Sequence, residues 1–188
     1  MSYEIVAVGG SRGGVKALAE VLSGLPSDFP TPAVATLHRG REPGPALVRK
    51  LQTGCALRVM EADDKEPLAR GRVYLAPPGY HVLVERCNLA LSTEGPVSLA
   101  QPSIDVLFES AADAWGSQVI GVILSGASVD GSAGLARIKQ LGGLAVVQDP
   151  ETAEARTMPE AAVRAAPVDR VLPLAQIAPF LVRTCGGR

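Results

Sequence analysis

Apolar positions along the chain follow two rhythms. Runs rich in β-branched residues at Tyr3 to Val8, Pro32 to Leu37, Val119 to Leu124, Gly143 to Val147 and Val168 to Leu172 predict strands. Between them, apolar residues recur at helical spacing: Val15, Leu18, Ala19 and Leu22 within 15–25, and Ile104, Leu107, Phe108, Ala111 and Ala112 within 102–115. Shorter helices are predicted over 43–51, 132–141, 159–166 and 174–182, the first opening on prolines suited to an initial helical turn. The middle of the chain breaks this alternation. Short strands at 57–61, 72–76, 81–85 and 89–92 are joined by loops too tight for crossover helices, which predicts an antiparallel hairpin insertion or sheet edge. The pattern reads as an α/β fold of three layers, a doubly wound, mostly parallel sheet with helices on both faces.

Composition narrows the function classes. The 188 residues are 47% apolar, enough for one good core, and the whole chain is read as a single domain, 1–188. Eighteen Lys and Arg against 19 Asp and Glu leave a net charge of −1, with no positive field to attract nucleic acid. No apolar run approaches the roughly 18 residues of a membrane span, so a membrane-inserted protein is not expected. The start, Met1-Ser2-Tyr3-Glu4, carries an acid where a signal peptide has a basic region, and three widely spaced cysteines fit reduced thiols. Both features point to the cytoplasm. With only His38 and His81 beside those cysteines, a zinc cluster is not expected.

The chemistry begins at Gly9-Gly10-Ser11-Arg12-Gly13-Gly14, where the first strand turns into the first helix. A dinucleotide fingerprint ending at Gly13 would need glycine where Val8 stands, and a P-loop would need lysine where Val15 stands. The segment does fit G-x-S-x-G through Gly9, Ser11 and Gly13, a turn that can raise a nucleophilic serine over a helix N-terminus. Ser11 is thus either a nucleophile or a helix cap. A nucleophilic serine needs a base, and His38 ends the next strand on the same edge, whereas His81 starts a hairpin strand and suits a turn or packing role. For a carboxylate to orient the imidazole, Asp130 is best placed, past the strand 119–124, with capping of the following helix as its other reading. Asp105 and Asp149 are weaker rivals. The chain order Ser11, His38, Asp130 differs from the Ser…Asp…His order of α/β-hydrolases, which disfavours an ordinary lipase or esterase.

That order resembles the catalytic domain of the chemotaxis protein-glutamate methylesterases, the CheB type. The motifs that carry the resemblance are Val8 to Gly14, His38, Tyr74-Leu75-Ala76-Pro77-Pro78-Gly79-Tyr80-His81 and Pro102-Ser103-Ile104-Asp105-Val106-Leu107-Phe108. Leu124-Ser125-Gly126 leading to Asp130-Gly131, then Gln148-Asp149 and Met158-Pro159-Glu160-Ala161, complete it. The resemblance implies that Ser11 attacks glutamate γ-methyl esters on chemoreceptors, releasing methanol, and that the same acyl chemistry can deamidate receptor glutamines. It implies His38 as base, Asp130 as its orienting acid, and the backbone N–H groups of Arg12 and Ala127 as oxyanion donors. A hydrolase working through a serine nucleophile would need no metal or organic cofactor, and none is expected.

The expected partner is the cytoplasmic helical bundle of a methyl-accepting chemoreceptor. The esterase fold is read from residue 3 onward, so no receiver domain of the kind longer family members carry is expected in this chain, which is either an excised catalytic domain or a stand-alone protein without phosphorylation control. Two loops depart from the family pattern. Arg39-Gly40 stand where it has methionine and proline, and Ala127 and Ser128 where it has methionine and glycine. These departures keep open a catalytically weak or inactive module that binds a receptor or signalling partner, and a hydrolase for small esters. Arg12, Arg39 and Arg41 sit beside the triad positions and are expected to rim the site, where guanidinium groups could pair with receptor carboxylates.

Overall fold

The computed structural model describes residues 2–38 and 44–186. Its strands are β1 (Ile5–Gly10), β2 (Ala33–Leu37), β3 (Arg58–Glu61), β4 (Arg72–Leu75), β5 (His81–Val84), β6 (Leu89–Ser92), β7 (Val119–Ile123), β8 (Leu144–Gln148) and β9 (Arg170–Leu172). Seven of them form one sheet in the order β3-β4-β2-β1-β7-β8-β9. Every pairing within that sheet is parallel. Strands β1, β2 and β7 are buried at every position, as expected of central parallel strands covered on both sides.

The helices divide between the two faces. Apolar residues of α1 (Gly14–Ser23), α2 (Gly44–Gln52) and α6 (Leu174–Cys185) pack with Val6, Val8, Ala35 and Val122 on one side. Those of α3 (Ile104–Trp115), α4 (Ser132–Gln140) and α5 (Thr157–Ala165) pack with Ile5, Ala7, Val34 and Ile123 on the other. The alternation of side chains along each strand thus feeds two cores.

The expected antiparallel insertion is half as large as the strand pattern suggested. Only β5 and β6 pair antiparallel, in a separate two-stranded sheet. The strands at 58–61 and 72–75 instead extend the main sheet in parallel. Their connection, 62–71, returns without a helix and is tied down by side chain and hairpin. The buried Tyr74 hydroxyl donates to Pro67 O at 2.7 Å and accepts from Ala69 N at 3.0 Å. Leu89 N donates to Glu66 O and Leu68 N to Cys87 O, so the hairpin clasps the connection.

The chain places β2 on one side of β1 and β7 on the other, so the sequence of neighbours reverses at β1. Ligands of open α/β sheets bind beyond the strand carboxyl ends at such a switch point.

Candidate active site

Parallel register brings Ser11 and His38 side by side. Gly10 of β1 is paired with Leu37 of β2, and each strand ends there, so the next residues, Ser11 and His38, leave the sheet as neighbours. His38 N donates to Gly10 O at 3.0 Å. Ser11 N donates to Ser125 O at 2.9 Å and Ser11 O accepts from Gly14 N at 2.8 Å, closing a tight turn. Gly13 sits at φ 75 before α1, and a Cβ there would lie 2.7 Å from Glu154 Cβ and 2.8 Å from Ser125 Oγ. Only glycine meets both constraints. Ser11 does not cap α1: that helix has no side-chain cap, and Ser11 Oγ makes no hydrogen bond among the described residues.

Asp130 completes the pair with His38. His38 Nε2 lies 2.6 Å from Asp130 Oδ2, with the imidazole 17% exposed and the carboxylate fully buried. Asp130 does cap a helix, but not the one that follows it. Its Oδ2 accepts from Ile104 N at 2.7 Å, and its Oδ1 from Asp105 N at 3.1 Å and from Ser103 Oγ at 2.8 Å, all at the head of α3. Burial alone would raise this carboxyl group's pKa. The bonds from His38, the Ile104 and Asp105 amides and the Ser103 hydroxyl outweigh it and hold the pKa below the ordinary carboxylate value. Asp130 is therefore an anion at neutral pH. As such it accepts the Nε2 proton of His38, which leaves Nδ1 as the ring's acceptor nitrogen.

Four further side chains hold this arrangement. Ser103, the N-cap of α3, is fully buried and hydrogen-bonded to Asp130 as above. Its N–H donates to His81 Nδ1 at 3.1 Å, while His81 Nε2 faces Gly95 O at 3.1 Å. A neutral His81 protonated at Nε2 satisfies both contacts, so this buried imidazole supports Asp130 rather than acting as a base. On the serine side, Ser125 Oγ donates to Arg12 O at 2.7 Å and accepts from Ala155 N at 2.9 Å, and Ser125 N donates to Gln148 Oε1 at 2.8 Å. Ser103, Ser125 and Gln148 carry no local pattern beyond their place in the motifs quoted above, and sequence reasoning assigned them no role.

The other predicted residues separate. Arg12 and Ala127 are exposed beside Ser11 and Ser125, and their backbone N–H groups have no hydrogen-bond partner among the described residues. Arg39 and Arg41 lie outside the described residues. Asp105 does not reach His38; its Oδ1 accepts from Gly134 N of α4 at 2.7 Å. Asp149 caps the short turn at 150–152 by accepting from Glu151 N.

Comparison with known proteins supplies the family. The model of the CheB methylesterase family matches residues 6–181. A putative protein-glutamate methylesterase/protein-glutamine glutaminase of Leptospira interrogans serovar copenhageni is 44% identical over 184 residues, covering 97% of this chain and 95% of that one. A protein-glutamate methylesterase/protein-glutamine glutaminase of Anaeromyxobacter dehalogenans is 40% identical over 185 residues, covering 96% of this chain. The alignment spans 51% of that relative, about half its length. The crystal structure of the Thermotoga maritima CheB methylesterase catalytic domain superposes with a TM-score of 0.93 at 30% identity, covering 97% of this chain and 99% of that one.

Proposed function

The chain belongs to the CheB methylesterase family, and on that premise we propose that Ser11, His38 and Asp130 are the triad with which it hydrolyses glutamate γ-methyl esters. It is a carboxylic ester hydrolase, a protein-glutamate methylesterase by family and by fold. The observation that carries the triad is the 2.6 Å contact of His38 Nε2 with the buried Asp130, formed where β2 ends beside the Ser11 turn.

In the proposed reaction each of these residues has one role. His38 Nδ1 takes the Ser11 hydroxyl proton as Oγ attacks the ester carbonyl carbon. The carbonyl oxygen becomes an oxyanion, which the unpartnered N–H groups of Arg12, beside the head of α1, and of Ala127, in the loop after β7, can stabilise. Collapse breaks the C–O bond, and the departing methoxide takes the proton from His38 as methanol. Water then attacks the acyl-enzyme with His38 again as base, which frees the glutamate and restores Ser11. A glutamine side chain would follow the same path with ammonia leaving. Asp130 stabilises the imidazolium in both halves without itself being protonated.

The proposed substrate is the cytoplasmic helical bundle of a methyl-accepting chemoreceptor, and the proposed compartment is the cytoplasm. No described helix is long and apolar enough to cross a membrane. Arg12 and, from the sequence alone, Arg39 and Arg41 would meet the receptor's carboxylates at the rim. Methanol release from methylated receptor cytoplasmic fragments tests this reading. The wild-type protein should release methanol, and Ser11→Ala should lower the rate by at least about 10⁴-fold. Binding without release by either protein would instead make the chain an esterase-like binding module.

A further inference from the structure

The Met158-Pro159-Glu160-Ala161 motif supplies no member of the triad, yet it lies against the loop that carries one of the two oxyanion donors. Gly126, the residue before Ala127, is held on both sides by the segment 154–158. Its N–H donates to Ala155 O at 3.0 Å, and its carbonyl accepts from Met158 N at 2.9 Å. The Gly126 carbonyl and the Ala127 N–H belong to one peptide unit, which is planar and trans, so the two groups point in opposite directions. With Gly126 O fixed toward the head of α5, the Ala127 N–H is turned away from that helix, and it has no partner among the described residues. The Arg12 N–H is aimed in the same way by a nearer bond, since Ser11 O, the carbonyl of its own peptide unit, accepts from Gly14 N. One donor is set from within its turn, the other from a distant segment.

The side chains agree with the hydrogen bonds. Gly126 lies outside the left-handed region that favours glycine, so its backbone alone would accept other residues. What it lacks is room: a Cβ there would lie 2.6 Å from Met158 Sδ, 2.7 Å from its Cε and 3.0 Å from its Cβ. Met158 is itself buried, which leaves the thioether little space to retreat. The same segment also reaches the serine side. Ala155 N donates to Ser125 Oγ, which donates to Arg12 O, and Glu154 packs against Gly13.

We propose that the segment 154–158 is a brace that sets the spacing of the two oxyanion donors, with Met158 the positioning residue that aims the Ala127 N–H through Gly126. The inference rests on the esterase reading above and extends it to residues outside the triad. Both donors must converge on the point the oxyanion will occupy, so a small shift of the Gly126 peptide takes one of them out of reach. That charge develops only in the transition state, and the loss therefore falls on kcat rather than on KM.

The test is a rescue, with every variant assayed where circular dichroism shows it folded. Gly126→Ala drives a methyl group into the Met158 thioether, and kcat for a methylated receptor cytoplasmic fragment should fall about ten- to a hundredfold, towards the cost of losing one oxyanion donor. KM should stay within about twofold. Met158→Ala withdraws the backing from the loop and should lower kcat about tenfold, whereas Met158→Leu keeps the volume and should stay within about threefold of wild type. In the double variant Gly126→Ala/Met158→Ala the new methyl group fills space the thioether has left, and kcat should exceed that of either single variant. Hydrolysis of p-nitrophenyl acetate should follow the same order, and the pH–rate profiles should keep their wild-type shape, because no titrating group is touched. A double variant no faster than both single variants overturns the proposal, as does wild-type kcat in Gly126→Ala or a loss carried by KM. If Gly126→Ala does not fold, equal kcat in Met158→Ala and Met158→Leu overturns it. A wild-type protein that cleaves p-nitrophenyl acetate but releases no methanol from the fragment fails the esterase reading instead, and the order of the variants on p-nitrophenyl acetate still decides the brace. If it cleaves neither ester, both fall.

Discussion

The two halves of the proposed active site are built by opposite means. The serine half is a backbone construction: six consecutive residues, Gly9 to Gly14, whose shape is set by the end of β1, by Gly13 in the left-handed region and by short-range bonds such as Gly14 N to Ser11 O. The aspartate half is a side-chain construction assembled from distant segments. Asp130 is held by His38, Ser103 and the amides of Ile104 and Asp105, and Ser103 is in turn held by His81. A nucleophile must be exposed to its substrate, so its position here is set chiefly by main-chain bonds, with Ser125 Oγ bracing Arg12 O from behind. An orienting carboxylate must be buried and ionised, which requires several donors converging on it.

The largest effect that separates these halves is Asp130→Asn. The new side-chain amide can donate to His38 Nε2, which drives the ring proton to Nδ1 and removes the acceptor that Ser11 needs. The expected loss in kcat is on the order of 10³–10⁴-fold with KM nearly unchanged, because ground-state binding does not use this pair. A loss below about tenfold would show that the ring is oriented by something other than Asp130. Next in size are the two supporting serines. Ser103→Ala removes one donor to Asp130 and leaves that oxygen with the Asp105 amide alone, so kcat should fall by about ten- to a hundredfold. Ser125→Ala leaves Arg12 O and the Ala155 amide without their shared partner, loosening the serine turn from behind. Its cost should appear in stability, about 1–3 kcal/mol by urea unfolding, with a smaller loss in kcat because main-chain bonds still shape the turn. If Ser125→Ala instead harms kcat more than Ser103→Ala, the serine half depends on side chains as heavily as the aspartate half does.

The same contrast explains what the sequence made legible. Ser11, His38 and Asp130 could each be placed because each follows a buried strand, and parallel register aligns strand ends without further information. The alternative reading of Asp130 as a cap was right about capping but assigned the wrong helix, since only tertiary contact reveals that its carboxylate faces α3 and not α4. The parallel course of β3 and β4 was hidden because their connection has no helical period and is held by the Tyr74 hydroxyl and the hairpin. Ser103, Ser125 and Gln148 are short polar side chains at element ends, where polar residues are ordinary. The partners through which they serve the site, Asp130 for Ser103 and Arg12 and Gln148 for Ser125, lie 23 or more residues away.

The smallest expected effect concerns a second carboxyl group that the serine half lacks. Asp105 is buried at the head of α3, against Asp130, with its Oδ1 accepting from Gly134 N. Burial, followed by the charges of Asp130 and Glu109, raises its pKa from 3.8 to about 6, while the Gly134 amide opposes the rise. Because the folded pKa exceeds the unfolded one, the folded chain binds the extra proton between about pH 4 and 6. Stability contributed by Asp105 therefore falls as pH rises through that window and levels off above it. Asp130 behaves in the opposite sense: its folded pKa is depressed, so its contribution is present at neutral pH and is lost only in stronger acid. Asp105→Asn keeps an acceptor for Gly134 N and removes the charge. Relative to wild type, the variant should gain about 1–3 kcal/mol in urea unfolding on going from about pH 4 to about pH 7, with kcat within about threefold. A wild-type-to-variant difference that is flat across this range would mean that Asp105 is ionised in the folded protein throughout, and that the α3 and α4 termini carry two buried charges side by side.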